Sequence, residues 1–426
     1  MKQIDQLRER PVPATDKALG WLTRTGPVTA AGLAAAGPGI WDFELPVLTL
    51  RESALAHNIE AMAAYCAAAG VAHAPHGKTT MAPQLIARQL AAGAWAVSAA
   101  TAAQARVYRA FGVPRVLIAS QLTQRAAVEW LGRELAADPG FECYTYADSL
   151  AGVALLDEGL RAVAPGRPLP VLVELGYPGG RTGCRTMDEA LAVAAAVDAA
   201  PGLELAGAAG FEGGLQRADL DATLDAVALF IADLRTLGER LPGFGDGRGR
   251  RPVLSAGGSS FFDVVSRELG RSGARAVLRS GAYIAHDHGH YAESGPASRP
   301  ALPGLPPSPR FAPALELWAS VLSVPEPGLA IVNAGRRDIS CDQGMPVPLR
   351  VRRARGRRGG GTEPAAGMRL TSLDDQHGYL SISGPLAPGD QVSLGSTHPC
   401  TTMDKWQTIP VVDDDDRVID AVHTFF

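Results

Sequence analysis

Six short stretches of this sequence set reactive side chains beside residues that can make them useful. In AHAPHGKTTMAP (72–83), Lys78 follows a strand-like run and precedes a helix-like one, with His76, Gly77 and Thr79 next to it. Its flanking segments are apolar, so the amine is expected to be partly desolvated. Desolvation disfavours the ammonium form and makes a lysine a competent Schiff-base nucleophile; the alternative is an ordinary solvated loop lysine. In LSAGGSS (254–260), ahead of FFDVVSREL, a glycine-rich turn opens a helix. Backbone N–H groups at such a turn can hold a phosphate, or the turn can simply carry an N-cap serine. LRSGAYI (278–284) is again small and glycine-bearing, and LGYPGGRTGC (175–184) places Arg181 directly after a strand. That guanidinium can meet a surface carboxylate, a cofactor ring or a substrate carboxylate. In STHPCTTMDKW (396–406), an extended chain turns His398 and Cys400 to one face. A Cys/His pair suits zinc better than magnesium or calcium, and two protein ligands leave positions open for water and substrate. HDHGHY (286–291) is a rival metal stretch through His286, Asp287, His288 and His290, or else a hydrogen-bonded loop.

These groups cooperate only if the fold gathers loops from far apart in the chain. From residue 46 to about 284, short apolar runs alternate with longer Ala/Leu-rich stretches of helical spacing, such as 53–69, 123–137, 188–200 and 219–241. The runs are PVLTL (46–50), VAHAPHGK, AWAVSAA, RVLIAS, FECYTY, PVLVELG, LELAGAAGF, RPVLSAGG and ARAVLRSG. Continuous apolar runs between helices suit strands buried on both faces of a parallel sheet, and about eight such units suit a (β/α)8 TIM-like barrel. Nine runs are one too many, so one belongs to another domain, with 46–50 the first suspect. After residue 290 the pattern changes. A proline-rich connector (295–313) leads to short runs typical of a sandwich or barrel of β strands. The expected organisation is an N-terminal segment (1–45) packing on the β domain, a barrel over 46–294, and a mainly β domain over 295–426. RARGRRGGG (353–361) reads as a hairpin tip and DDDD (413–416) as a charged turn. In a barrel the active site lies at the carboxyl ends of the strands, and phosphate sites often sit at the last two βα loops. Lys78 at an early loop and small loops at the last two positions therefore suggest a pyridoxal phosphate site.

Across the 426 residues, 40 Lys+Arg face 44 Asp+Glu, a net charge of −4, which excludes a broadly basic nucleic-acid binder and gives no attraction to an anionic membrane. No uninterrupted apolar run of about 18 residues is present, so no membrane span is expected. The start, MKQIDQLRERPVP, is charged and lacks the apolar core of a secretory signal. Five scattered cysteines fit a reducing, cytoplasmic setting better than a disulfide framework.

Taken together, these motifs resemble those of the fold-type III pyridoxal phosphate enzymes of the D-serine dehydratase and D-threonine aldolase group, related to alanine racemase. PHGKTTMAP is similar to the group's Schiff-base segment, which makes Lys78 the coenzyme lysine with His76 beside it. GRTG resembles the strand-end motif whose arginine approaches the coenzyme ring, here Arg181. SAGGSS resembles the phosphate loop, through Ser255, Gly257, Gly258 and Ser259, and RSGAY brings in Gly281 and Tyr283. THPCTT resembles the metal motif, with His398 and Cys400 as ligands to Zn2+; aldolases of the group have Asp in place of the Cys and use Mn2+. Where members place a histidine after the 203–211 strand this chain reads GFEGG, so Glu212 is the implied proton-transfer residue. The resemblance implies a homodimeric lyase acting on a D-3-hydroxy amino acid. Dehydration and deamination of D-serine or a similar substrate comes first; aldol cleavage of a D-threonine-like substrate, amino acid racemisation and non-catalytic coenzyme binding are the alternatives.

Overall fold

The structure, a computed structural model, describes residues 2–243, 251–354 and 361–426. It contains two sheets, and the first strand of the alternating region does not join the barrel. β1 (Val47–Arg51) runs antiparallel to β10 (Leu315–Glu326) and parallel to β17 (Thr408–Val412). The other eight runs form the barrel: β2 (Ala72–His73), β3 (Val97–Ala99), β4 (Arg115–Gln121), β5 (Glu142–Ala147), β6 (Leu169–Leu175), β7 (Leu203–Gly210), β8 (Val253–Ala256) and β9 (Arg275–Leu278). They pair in parallel in that order. β9 returns to β2, and a parallel bridge between His76 and Ser98 closes the ring. The barrel sheet thus begins at residue 72 rather than 46. Val47–Arg51 is the run lent to the other sheet.

The helix starts follow from local chemistry. Thr101, Ser149, Thr186 and Asp219 each accept an N–H three residues on, at the start of the helices Ala102–Ala110, Leu150–Arg161, Met187–Ala199 and Leu220–Arg240. Such caps satisfy N–H groups that the helix itself cannot. β6 is buried along its whole length, as expected for a strand covered on both faces. Inside the ring, Ala74, Leu117, Tyr146, Leu172, Ala209 and Val277 pack as a separate core, so the barrel is filled and not a pore.

The second sheet adds β11 (Leu329–Val332), β12 (Val347–Arg352), β13 (Glu363–Pro364), β14 (Arg369–Leu373), β15 (Gly378–Ser381), β16 (Gln391–Gly395) and β18 (Val418–His423). Its long path runs β13-β12-β16-β10-β1-β17-β18, with β11, β15 and β14 extending from β10. All of these pairings are antiparallel except that of β1 with β17. The N-terminal segment lies on this β region: Lys17 pairs with Asp338 at 2.8 Å, and Gly39 bridges Arg417. The acidic run at 413–416 is only partly a solvated turn. Asp416 is buried, and its carboxylate meets Arg51 at 2.7 Å, Arg350 at 3.0 Å and Arg352 at 3.2 Å. Most of the expected 353–361 hairpin tip lies outside the described residues; Arg353 at its start bonds Glu363 and Asp390. Among the described residues no helix is long and apolar enough to cross a membrane, and none of the five cysteines is in a disulfide.

Candidate active site

A cavity of about 330 Å³ opens at the carboxyl ends of the barrel strands, the position expected for a barrel active site. The structure brings His76, Lys78, Arg181, Glu212, Gly258, Ser259, Gly281 and Cys400 to its walls. Lys78 sits in a single 3-10 turn (Gly77–Thr79) after β2. Its amine is exposed, with no hydrogen-bond or ion-pair partner among the described residues. The desolvation expected from its apolar flanks is therefore absent: those flanks pack into the core, while the side chain points into the cavity space. Beside it, the Nδ1 of His76 is buried without a hydrogen-bond partner. Burial, reinforced by the cations of Lys78, Arg279 and Arg181, holds this imidazole well below its ordinary pKa, so it stays neutral at pH 7.

Glu212 does not stand as a free base. It is fully buried, and its two oxygens accept the N–H groups of Gly257 at 3.1 Å and Gly258 at 2.6 Å. A carboxylate that already satisfies both loop amides ties the loop in place. It also removes those two amides as phosphate donors. The N–H groups of Ser259 and Ser260 carry no acceptor among the described residues, and both residues line the cavity ahead of the helix Phe262–Leu269. Of the amides in the loop read from the sequence, those of Gly257 and Gly258 are taken, while that of Ser259, with its neighbour Ser260, stays open. Ser255 is a further correction. Its hydroxyl donates to Val277 O at 3.0 Å and accepts from Arg279 at 2.8 Å, deep in the barrel. So is Tyr283, whose hydroxyl accepts from Gln89 at 2.9 Å and whose ring packs on His73 and Phe311, away from the cavity. Gly281 is required where it stands, because a Cβ there would lie 2.5 Å from His76 O.

Two arginines differ in kind. Arg181 is exposed, lies 4.1 Å over the Phe211 ring, and has no hydrogen-bond or ion-pair partner among the described residues. Arg279 is buried and fixed by Gly210 O at 2.7 Å and by Ser255, yet it also lines the cavity. Arg279 was missed in the sequence although it opens the RSG motif; an arginine directly before a small loop at a strand end was the available signal. Thr79 was missed as well. It accepts from the Cys400 thiol at 3.3 Å, which places the residue next to Lys78 against a loop from the far end of the chain.

His398 stands beside the cavity rather than in its wall. Its Nδ1 is 2.8 and 3.0 Å from the oxygens of Asp342, and the ring also hydrogen-bonds Cys400. The bond to Cys400, then that to Asp342, push the imidazole up to about 9 against the effect of burial. The rival stretch is a hydrogen-bonded loop. Asp287 accepts the N–H groups of Gly289, Tyr291 and Ala292, His286 packs on Phe311, and only His290 of its histidines lines the cavity. Among the described residues no group of three or more His, Cys, Asp or Glu is placed to hold one metal ion.

The residues fit a pyridoxal phosphate: a free amine, an unpartnered buried imidazole nitrogen, open N–H groups at a helix start and a fixed guanidinium share one cavity. They fit a metal through the thiol and imidazole of Cys400 and His398, a borderline-soft donor pair.

Comparison with known proteins matches two separate stretches of the chain. Residues 50–244 match the family "Alanine racemase, N-terminal domain", and residues 314–412 match "Putative serine dehydratase domain". A D-threonine aldolase from Arthrobacter sp is 26% identical over 386 residues, covering 87% of this chain and 89% of that protein. A 3-hydroxy-D-aspartate aldolase from Paracoccus denitrificans (strain Pd 1222) is 27% identical over 318 residues, 72% of this chain and 77% of that protein. The crystal structure of D-threonine aldolase from Filomicrobium marinum superposes with a TM-score of 0.76 at 26% identity, covering 91% of this chain and 96% of that one. D-threo-3-hydroxyaspartate dehydratase from Delftia sp. HT23 shares the fold, with a TM-score of 0.67, 22% identity, and coverage of 91% and 99%. These matches support the likeness of this chain to the fold-type III pyridoxal phosphate enzymes of the D-serine dehydratase and D-threonine aldolase group.

Proposed function

We propose that this protein is a pyridoxal phosphate- and metal-dependent lyase that dehydrates and deaminates a D-3-hydroxy amino acid, D-serine or a close analogue, to a keto acid and ammonia. The observation that carries the reading is the meeting of Lys78 and Cys400 on one cavity, joined through the Cys400–Thr79 hydrogen bond. In that arrangement Lys78 would hold the coenzyme, the Ser259 and Ser260 amides its phosphate, and Cys400 with His398 the ion, Zn2+ in preference to Mn2+ because one donor is a thiol.

The coenzyme supplies an electron sink for the charge left at Cα when the α-proton departs. The remaining chemistry falls to the chain. Lys78 Nζ, freed when substrate binds, takes the α-proton from the face it occupies, which selects one configuration. Arg181, the exposed guanidinium at the cavity wall, binds the substrate carboxylate. Arg279 is a permanent cation held by two partners; beside a pyridine nitrogen it would disfavour ring protonation and weaken the sink. Expulsion of the hydroxyl then needs help from elsewhere. Zinc strongly lowers the pKa of a bound water, to about 7, so an ion held by Cys400 and His398 would supply the charge neutralisation that a leaving hydroxide lacks. The enamine released hydrolyses to the keto acid and ammonia.

Aldol cleavage is the second reading, favoured by the D-threonine aldolase and 3-hydroxy-D-aspartate aldolase relatives. It shares the α-carbon chemistry but removes the hydroxyl proton, for which His290 on the cavity wall is available. Purified protein assayed with D-serine, D-threonine and 3-hydroxy-D-aspartate, with and without added zinc, separates the two. Keto acid with stoichiometric ammonia is expected, abolished by exhaustive chelation while the coenzyme stays bound; glycine and an aldehyde would instead establish the aldolase. Light scattering is expected to give a homodimer.

A further inference from the structure

The metal pair proposed above has an unusual support. Asp342 lies in the loop between β11 and β12, far in sequence from His398, and both of its oxygens face His398 Nδ1 at 3.0 and 2.8 Å. The carboxylate is itself held. Ser340 Oγ donates to its Oδ1 at 2.5 Å, and Thr401 Oγ1 donates to the same oxygen at 3.2 Å. Thr401 also donates to Ser340 at 2.8 Å, so the two hydroxyls and the carboxylate form one closed unit. The backbone of His398 is pinned as well: its N–H donates to Ser396 at 3.2 Å, and its carbonyl accepts from Thr402 at 3.0 Å.

Asp342 is not a third ligand, since no group of three His, Cys, Asp or Glu among the described residues is placed around one ion. Its effect is on the ring. A carboxylate that accepts Nδ1–H fixes the tautomer in which Nε2 carries the lone pair, and it fixes the ring's orientation at the same time. When a site has only two protein donors, the orientation of one of them is a large share of what the protein contributes. We propose that Asp342, held by Ser340 and Thr401, is the positioning residue of the metal site, presenting His398 Nε2 to the ion. This rests on the reading of His398 and Cys400 as the metal pair.

The test is metal affinity of the coenzyme-loaded protein, measured by competition of zinc between the protein and a chromophoric chelator. Loss of an outer carboxylate of this kind weakens a metal site by about 10–100-fold. Asp342→Ala is expected to raise the zinc Kd within that range, with coenzyme content and the melting temperature of the chelated protein unchanged. Asp342→Asn keeps an oxygen acceptor for Nδ1–H and is expected to recover part of the loss. The d–d spectrum of the cobalt-substituted protein is expected to change in Asp342→Ala and to move back toward the parent in Asp342→Asn. Zinc affinity in Asp342→Ala within threefold of the parent overturns the proposal. So does a loss that appears only alongside a fall in the melting temperature of the chelated protein, because the role is then structural. A parent protein that binds neither zinc nor manganese removes the metal pair itself, a result plainly different from a parent that binds zinc and an Asp342→Ala variant that binds it equally well.

Discussion

At the residue scale, Glu212 reaches the cavity wall with both of its oxygens already committed to the backbone. The GFEGG segment leads to the cavity, and an acidic side chain there looks available for proton transfer. The folded chain instead spends both of its oxygens on the amides of Gly257 and Gly258. A hydrogen bond to a charged group contributes about 1.5–3 kcal/mol, so Glu212→Gln, which keeps one acceptor and removes the charge, is expected to weaken coenzyme retention by about tenfold or more. Its kcat at saturating coenzyme is expected to fall by less than tenfold, whereas loss of a proton-transfer group typically costs about 10²–10⁴-fold; titration of the apoprotein with coenzyme, followed by steady-state kinetics, distinguishes the two. That Lys78, Arg181 and Cys400 would reach one cavity was legible because each sits in a motif whose spacing already constrains it. Arg279, Thr79 and Asp342 were not, because what makes them matter is a partner 24, 321 or 56 positions away.

Among the elements, the helix Phe262–Leu269 and the loop ahead of it carry the open Ser259 and Ser260 amides, and a buried ion pair keeps them in place. Arg299 meets Asp263 at 2.6 Å with both side chains almost wholly buried, and the same guanidinium reaches Ser260 O at 2.8 Å and Ser294 O at 3.1 Å. Removing one partner of such a pair leaves an uncompensated buried charge and costs about 3–5 kcal/mol. Asp263→Ala is therefore expected to lower the denaturant midpoint strongly and to loosen the coenzyme, since the Arg299 that holds Ser260 O loses its own partner; an unchanged midpoint would contradict this. The alternation of apolar runs and helices made the barrel readable because both faces of its strands are buried. The same alternation did not reveal where Val47–Arg51 goes, because a strand buried in either sheet has the same pattern; only the count of nine pointed outward.

At the scale of the whole molecule, β1 and β12 converge on the Asp416 carboxylate through Arg51, Arg350 and Arg352, and its carbonyl accepts the N–H of Ile40 from the N-terminal segment. Burial alone would raise this carboxyl, but Arg350 and Arg51 hold it below the usual carboxylate range. A group whose folded pKa is depressed adds stability above its unfolded value of about 3.9 and loses it as pH falls through the folded one. The parent's unfolding free energy is thus expected to drop as acid titrates Asp416, and Asp416→Asn, less stable at neutral pH, is expected to show a shallower decline below pH ~4 by denaturant titration. The change of rhythm after residue 290 was legible in the sequence, but the acidic run read as a charged turn, since charge on its own says nothing about burial.

The detour taken by Val47–Arg51 has a consequence for how the protein is made. Its neighbours β10 and β17 are translated only after the entire barrel, at about 5–20 residues per second. For some tens of seconds the nascent chain carries VLTLR, a run that is buried in the finished protein, with no strand to pair it. An unpaired apolar strand is an invitation to foreign strands. Synthesis of this enzyme therefore has a vulnerable interval that ends when the ribosome releases the last segment and the second sheet closes around its earliest member.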